Sequence, residues 1–209
     1  MDRYIKFSRN NWDKNMWQEV YSPRRQKKGR WKQLDDSIAN IYPGDPDADT
    51  PECKAESDFA SMLYTEPLAG SIRIETTCSY KERMAPLMVL SPELVPVYRE
   101  HFEIVLYDCG INVWHHLFEN GKPSWYLAGF HNFRTLPDTK YKLVTEIRRT
   151  PAGVVICVGV DEPAAGFRLP EAWQKPCFAG ITACEGHNNF YDFRICGIDN
   201  TNGITERIH

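Results

Sequence analysis

From residue 71 onward the sequence alternates apolar and polar positions with a period of two, the signature of strands whose successive side chains point to opposite faces. In SIRIETTCS, Ile72, Ile74 and Thr76 share one face and Arg73, Glu75 and Thr77 the other. HFEIVLYD sets Phe102, Ile104 and Leu106 against Glu103, Val105 and Tyr107; INVWHHL sets Ile111, Val113, His115 and Leu117 against Asn112, Trp114 and His116. A turn at Gly110 joins these two runs into a hairpin. The Asn-Gly of ENGK supplies the positive φ angles of a type I′ turn and predicts a second hairpin into SWYLAGF. KYKLVTEIRRT, the turn PAG and the almost continuously apolar VVICVGVDE predict a third. The Pro-bounded stretch PAAGFRLPEAWQKP reads as a connection, and CFAGITACE and NNFYDFRICGI as closing strands joined at Gly186-His187. About nine strands are expected beyond residue 71, at the spacing of a sandwich.

The first 70 residues are less regular. YIKFS and MWQEVYS read as strands, GRWKQLDDSIANIYP as strand, turn and strand, and PGDPDADTPE as a loop; only ESDFASMLY has a short helical period. The expectation is an all-β chain: one domain over 1–209, a two-sheet antiparallel β-sandwich of jelly-roll type. Residues 1–30 form a peripheral segment packed on its edge or reaching to a partner.

Composition narrows the function classes. The chain has 209 residues, 42% hydrophobic and 25% charged, enough for a packed core and unlike a disordered polyelectrolyte. No run approaches the roughly 18 apolar residues of a membrane span, and MDRYIKFSRNNW lacks the apolar stretch of a signal peptide. Seven cysteines, scattered and odd in number, fit a reducing cytoplasm and small core positions rather than a disulfide framework. No CxxC pair occurs and no structural zinc site on the cysteines is expected. A net charge of −3 argues against general nucleic-acid binding. The local exception is SPRRQKKGRWK, with Arg24, Arg25, Lys27, Lys28, Arg30 and Lys32, which is read as a solvated loop.

GRWKQLDDSIANIYP, SIRIETTCSY, HFEIVLYDCGINVWHH, KYKLVTEIRRTPAGVVICVGVDE and GITACEGHNNFYDFRI, in that order over most of residues 30–196, resemble the concanavalin A-like lectin/glucanase superfamily, in particular its bacterial jelly-roll domains. The resemblance implies two antiparallel sheets with an oligosaccharide groove on the concave one. Its glucanases carry Glu-x-Asp-x-Glu along one strand. This chain has no such motif, and Glu103 and Asp108 have opposite strand parity, so they cannot share a groove on a regular strand.

Sugar recognition needs aromatic faces and planar polar groups on rigid strands. Trp114 is the candidate stacking platform, with Asn112, His116 and Glu103 as hydroxyl partners, Tyr107 beside them, and Arg73 and Glu75 extending the surface. Trp125 and His131 are further candidates, whereas His115, on the apolar parity, reads as a satisfied core histidine. The turn ACEGHNNFYD gathers Glu185, His187, Asn188, Asn189 and Asp192, residue types that turns also favour for backbone reasons. For a glycan-active enzyme the candidate catalytic carboxylates are Glu75, Glu103 and Glu185, with Glu75 and Glu103 as the first pair and Glu103 and Glu185 as the second. Asp45, Asp47, Asp49 and Glu56 match part of a calcium-loop spacing, but Thr50 stands where glycine is wanted. The expected partner is an oligosaccharide or glycoconjugate, without a cofactor. A glycoside hydrolase or polysaccharide lyase, and a protein-interaction module using the basic segment and exposed tryptophans, remain the alternatives.

Overall fold

The period-two pattern becomes two antiparallel sheets packed face to face. The structure, a computed structural model, describes residues 2–25, 29–42, 44–46, 59–81 and 85–198. Its strands are β1 (Asp2–Lys6), β2 (Trp17–Glu19), β3 (Arg30–Gln33), β4 (Ile38–Ile41), β5 (Ala60–Tyr64), β6 (Ile72–Tyr80), β7 (Pro86–Ser91) and β8 (His101–Tyr107). They continue as β9 (Gly110–Glu119), β10 (Lys122–Asn132), β11 (Tyr141–Thr150), β12 (Gly153–Val160), β13 (Glu162–Leu169), β14 (Phe178–Ala183), β15 (Asn188–Phe190) and β16 (Asp192–Gly197). One sheet of nine strands runs β13-β12-β11-β6-β15-β4-β3, with β16 also pairing β6 and β1 pairing β16. The other, of seven, runs β10-β9-β8-β7-β14-β5-β2. Among the described residues no helix is long and apolar enough to cross a membrane.

The core lies between the sheets and follows the alternation: Ile72 and Ile74, Phe102, Ile104 and Leu106, and Ile111 and Val113 are all buried in it. Phe193 of β16 packs on Trp17 of β2 at 5.1 Å and approaches Tyr64 of β5 at 6.5 Å, tying the nine-stranded sheet to the seven-stranded one. The expected hairpins form. Asn120 and Gly121 hold φ of 51° and 76° between β9 and β10, and β11 and β12 pair in register through the turn at Pro151-Ala152. At one side of the sandwich the sheet edges close on each other: a Cβ on Gly129 of β10 would lie 3.1 Å from the Phe167 ring of β13. Glycine there permits the approach.

Three sequence expectations change. The stretch read as a connection contains β13, an edge strand that tolerates Pro163 because it needs only one hydrogen-bonded neighbour. Ala60–Tyr64, at the end of the segment with helical period, is a strand with every residue buried. Ala60, Met62 and Tyr64 face the core while Leu63 is covered on the other side by Val20, Val89 and Tyr98. Apolar cover on both faces erases the alternation that marks a half-exposed strand. The third change concerns the N-terminal segment, whose Ile5, Phe7 and Trp17 sit in the core and whose β2 is the edge of the seven-stranded sheet. Cys78, Cys109, Cys157, Cys177 and Cys196 carry free thiols; Cys78, Cys177 and Cys184 are buried and Cys109 is exposed.

Phe193→Ala removes the ring that bridges the two sheets and is expected to cost about 3–5 kcal/mol of unfolding free energy in urea titration. A loss below about 1 kcal/mol would show that the inter-sheet contact carries little of the stability.

Candidate functional site

Antiparallel register builds the site. The two-residue turn at Asp108-Cys109 sets His101 of β8 opposite His116 of β9, Glu103 opposite Trp114, and Val105 opposite Asn112. The β9–β10 register then places Trp125 beside His116 and Leu127 beside Trp114. Directly opposed side chains share one face of a sheet about 5 Å apart, so aromatic rows form across the outer face of the seven-stranded sheet. Tyr98 stacks on His101 at 4.4 Å, His101 on His116 at 4.4 Å, and His116 faces Trp125 at 6.3 Å.

Part of this face is covered. Tyr98 is held through its hydroxyl to Ser61, and backbone hydrogen bonds Tyr21 N to Pro96 O and Tyr98 N to Tyr21 O fasten residues 20–25 alongside it. That segment delivers Arg24, whose Nη2 donates to both carboxylate oxygens of Glu103 at 3.2 Å and whose guanidinium carbon lies 5.1 Å from the Trp125 ring centroid. What stays open is a groove of about 280 Å³ lined by Arg24, Arg25, Glu103, Tyr107, Asn112, Trp114, Trp125 and Glu185, with Leu87 and Val105 on its floor. Trp125 is 51% exposed and Trp114 half-buried.

Glu103 is 5% exposed. Burial alone would push its carboxyl up, but the imidazoles of His101 and His116, at 3.5 and 2.9 Å, outweigh it and hold the carboxyl well below the usual carboxylate range. Burial lowers the His116 pKa, and the adjacent Glu103 carboxylate only partly offsets this. Glu103 is therefore an ionised anchor rather than a proton donor, and His116 a neutral support beneath Trp125. Neither is free to meet a sugar hydroxyl in the way expected from sequence.

The structure thus brings Glu103, Tyr107, Asn112, Trp114, Trp125 and Glu185 to one groove, with His116 behind them. Arg73 and Glu75 lie elsewhere, on the outer face of the nine-stranded sheet. There Arg73 donates to Glu75 at 2.8 Å, Glu146 at 3.1 Å and Glu162 at 2.8 Å, a cross-strand ion network that uses its charge structurally. Strand parity is relative to each sheet, so Glu75 and Glu103 share it without meeting, and the first carboxylate pair is excluded. His187 is half-buried against Tyr42 and bonds Asn189 in a turn stitched by Asn188 N to Asn40 Oδ1. Glu185, at φ 55°, occupies the rim of that turn. His115 is buried, stacked on Phe102 at 4.0 Å and bonded to Tyr126 and Glu100, as its parity suggests. Half-buried His131 packs against Phe133.

Asp45, first in the calcium spacing, accepts from Lys32 Nζ at 2.7 and 2.8 Å; Asp47, Asp49 and Glu56 lie outside the described residues. A larger cavity of about 900 Å³, lined by Tyr80, Cys109, Phe133 and Leu136 among others, holds none of the expected site residues. The sequence reading places Arg24 and Arg25 in a solvated loop or a partner-binding segment, and it does not single out His101. For His101 the parity of Glu103 was the available signal.

Two opposed antiparallel sheets with this connectivity constitute the concanavalin A-like lectin/glucanase fold. Solved structures similar to the chain include the carbohydrate-binding module CBM66 from Bacillus subtilis (TM-score 0.59, 12% identity, 84% of this chain and 92% of that one). Lectin II from Ulex europaeus matches with TM-score 0.58 and 8% identity over 95% of this chain and 99% of its own. The Bacillus licheniformis beta-glucanase matches with TM-score 0.58 and 11% identity over 94% and 98%. No protein-family model and no curated protein sequence matches. At these identities the likeness establishes the fold; function rests on the site.

Both the Glu103 and the His116 shift mean that the unfolded chain binds more protons than the folded one. Stability is therefore expected to fall with pH, first below the ordinary imidazole value of 6.5 and then from the ordinary carboxyl value of 4.5 downward. Glu103→Gln should cost about 3 kcal/mol at neutral pH by stranding its partners and should flatten the acid limb. Urea midpoints between pH 3 and 8 check this; an unchanged acid limb in the variant would contradict the assignment.

Proposed function

We propose that the protein recognises a carbohydrate or glycoconjugate in the groove on the outer face of the seven-stranded sheet. The observation that carries this reading is the pairing of an exposed indole, Trp125, and a half-exposed one, Trp114, with the amide of Asn112, the phenol of Tyr107 and the Arg24 and Arg25 guanidiniums around one open groove. Indole faces stack on sugar C–H surfaces, and planar amide and guanidinium groups bond vicinal hydroxyls. The rigid sheet and the Arg24–Glu103 pair hold these groups in place before a ligand arrives, which lowers the ordering cost of binding. The similar fold of a carbohydrate-binding module and a lectin supports the same class of ligand.

The glycan-active alternative lacks an acid at Glu103, because that carboxyl is held ionised by its neighbours. With Glu103 committed to Arg24 and His116, we read the groove as a binding site.

A glycan array on the purified protein, followed by calorimetry, tests it. Trp125→Ala is expected to weaken the selected glycan at least tenfold, whereas Glu75→Gln, on the opposite sheet, leaves affinity unchanged. Equal affinity for wild type and Trp125→Ala would remove the groove from consideration, and release of shortened product would replace binding by hydrolysis or lysis.

A further inference from the structure

Behind the groove, three buried side chains converge without a satisfied arrangement of protons. His101 Nδ1 lies 3.0 Å from the Arg99 carbonyl oxygen. A carbonyl only accepts, so Nδ1 carries the hydrogen, and in the neutral ring Nε2 carries a bare lone pair. That Nε2 is buried, has no hydrogen-bond partner, and stands 3.5 Å from Glu103 Oε1, another acceptor. Two lone-pair atoms facing each other in a dry interior repel unless a positive centre sits between them. His116 Nε2 approaches the same carboxylate at 2.9 Å, and one donor atom from each of the three residues lies within 4.8 Å of the others.

We propose that His101, Glu103 and His116 form a binding site for a divalent transition-metal ion of the zinc class. Two imidazole nitrogens and one carboxylate oxygen are the donors such ions prefer, whereas calcium and magnesium call for oxygen alone. Ligands bound at about 2.0–2.2 Å stand roughly 3–4.4 Å apart, so small side-chain rotations close the observed spread. The Arg99 carbonyl fixes the tautomer and ring orientation of His101, as outer partners of metal-bound histidines do. His116 offers Nε2 by moving its proton to Nδ1. Glu103 can give one oxygen to the ion and keep the other on Arg24, whose guanidinium charge then opposes the ion. This site does not depend on the glycan reading, since it draws on the side chains beneath the groove and needs no sugar.

The test is zinc titration of the chelator-treated full chain by calorimetry, with X-ray absorption of the zinc-loaded protein. One equivalent is expected to bind, with two imidazoles and no sulfur around the metal. His101→Ala and His116→Ala each lower affinity at least 30-fold, His131→Ala and Cys109→Ser leave it unchanged, and Arg24→Gln raises it at least threefold by removing the competing charge. Absence of stoichiometric binding, a sulfur shell from the cysteines, or an Arg24→Gln affinity no higher than wild type would each overturn the proposal; the absorption spectrum decides it even if a histidine variant fails to fold.

Discussion

The buried carboxylate of Glu103 organises the outer face of the seven-stranded sheet. An isolated charge at that depth would be expelled or neutralised, so its neighbours must supply donors. Arg24 arrives from the N-terminal segment and His116 from the adjacent strand. Meeting this demand draws residues 20–25 across the sheet and sets Arg24 against Trp125. The groove is what this arrangement leaves open between the strap and the β8–β10 strands. Its shape and its electrostatics therefore share one origin, and loss of the carboxylate would loosen both.

The two faces of the sandwich divide the labour. On the nine-stranded sheet, Arg73, Arg148 and Arg194 offset Glu75, Glu146 and Glu162 in one ion-pair network. On the seven-stranded sheet the ionic centre is smaller and is surrounded by aromatic rings, with Tyr107, Trp114 and Trp125 lining the groove. Charges already paired with one another leave little to offer a ligand, whereas indole faces beside a fixed guanidinium leave both apolar area and directed donors unspent.

Much of this was legible in the sequence where strands are half-exposed. The alternation in HFEIVLYD and INVWHHL, together with the short turn between them, puts Glu103, Trp114, Asn112 and His116 on one face, and Asn-Gly at 120–121 brings Trp125 alongside. The same register places His101 opposite His116, a consequence that period-two reading contains but that a search for carboxylates passes over. Other features were not legible. Periodicity assigns a face within a strand but does not say which sheet the strand joins, so Arg73 and Glu75 were grouped with residues of the opposite sheet. Arg24 belongs to a basic run that looks solvated; its destination depends on a buried partner 79 residues away. Strand β5 lost its alternation because Val20 and Tyr98 cover its second face.

A double-mutant cycle on Arg24 and Glu103 tests the central claim most directly. Unfolding free energies of wild type, Arg24→Ala, Glu103→Gln and the double variant isolate the coupling between the strap and the buried carboxylate. The account predicts a coupling of about 2 kcal/mol, within the range found for residues in one ionic network. Additive losses would mean that the strap is held by Tyr21 and Tyr98 alone, and that the Glu103 charge does not organise the groove.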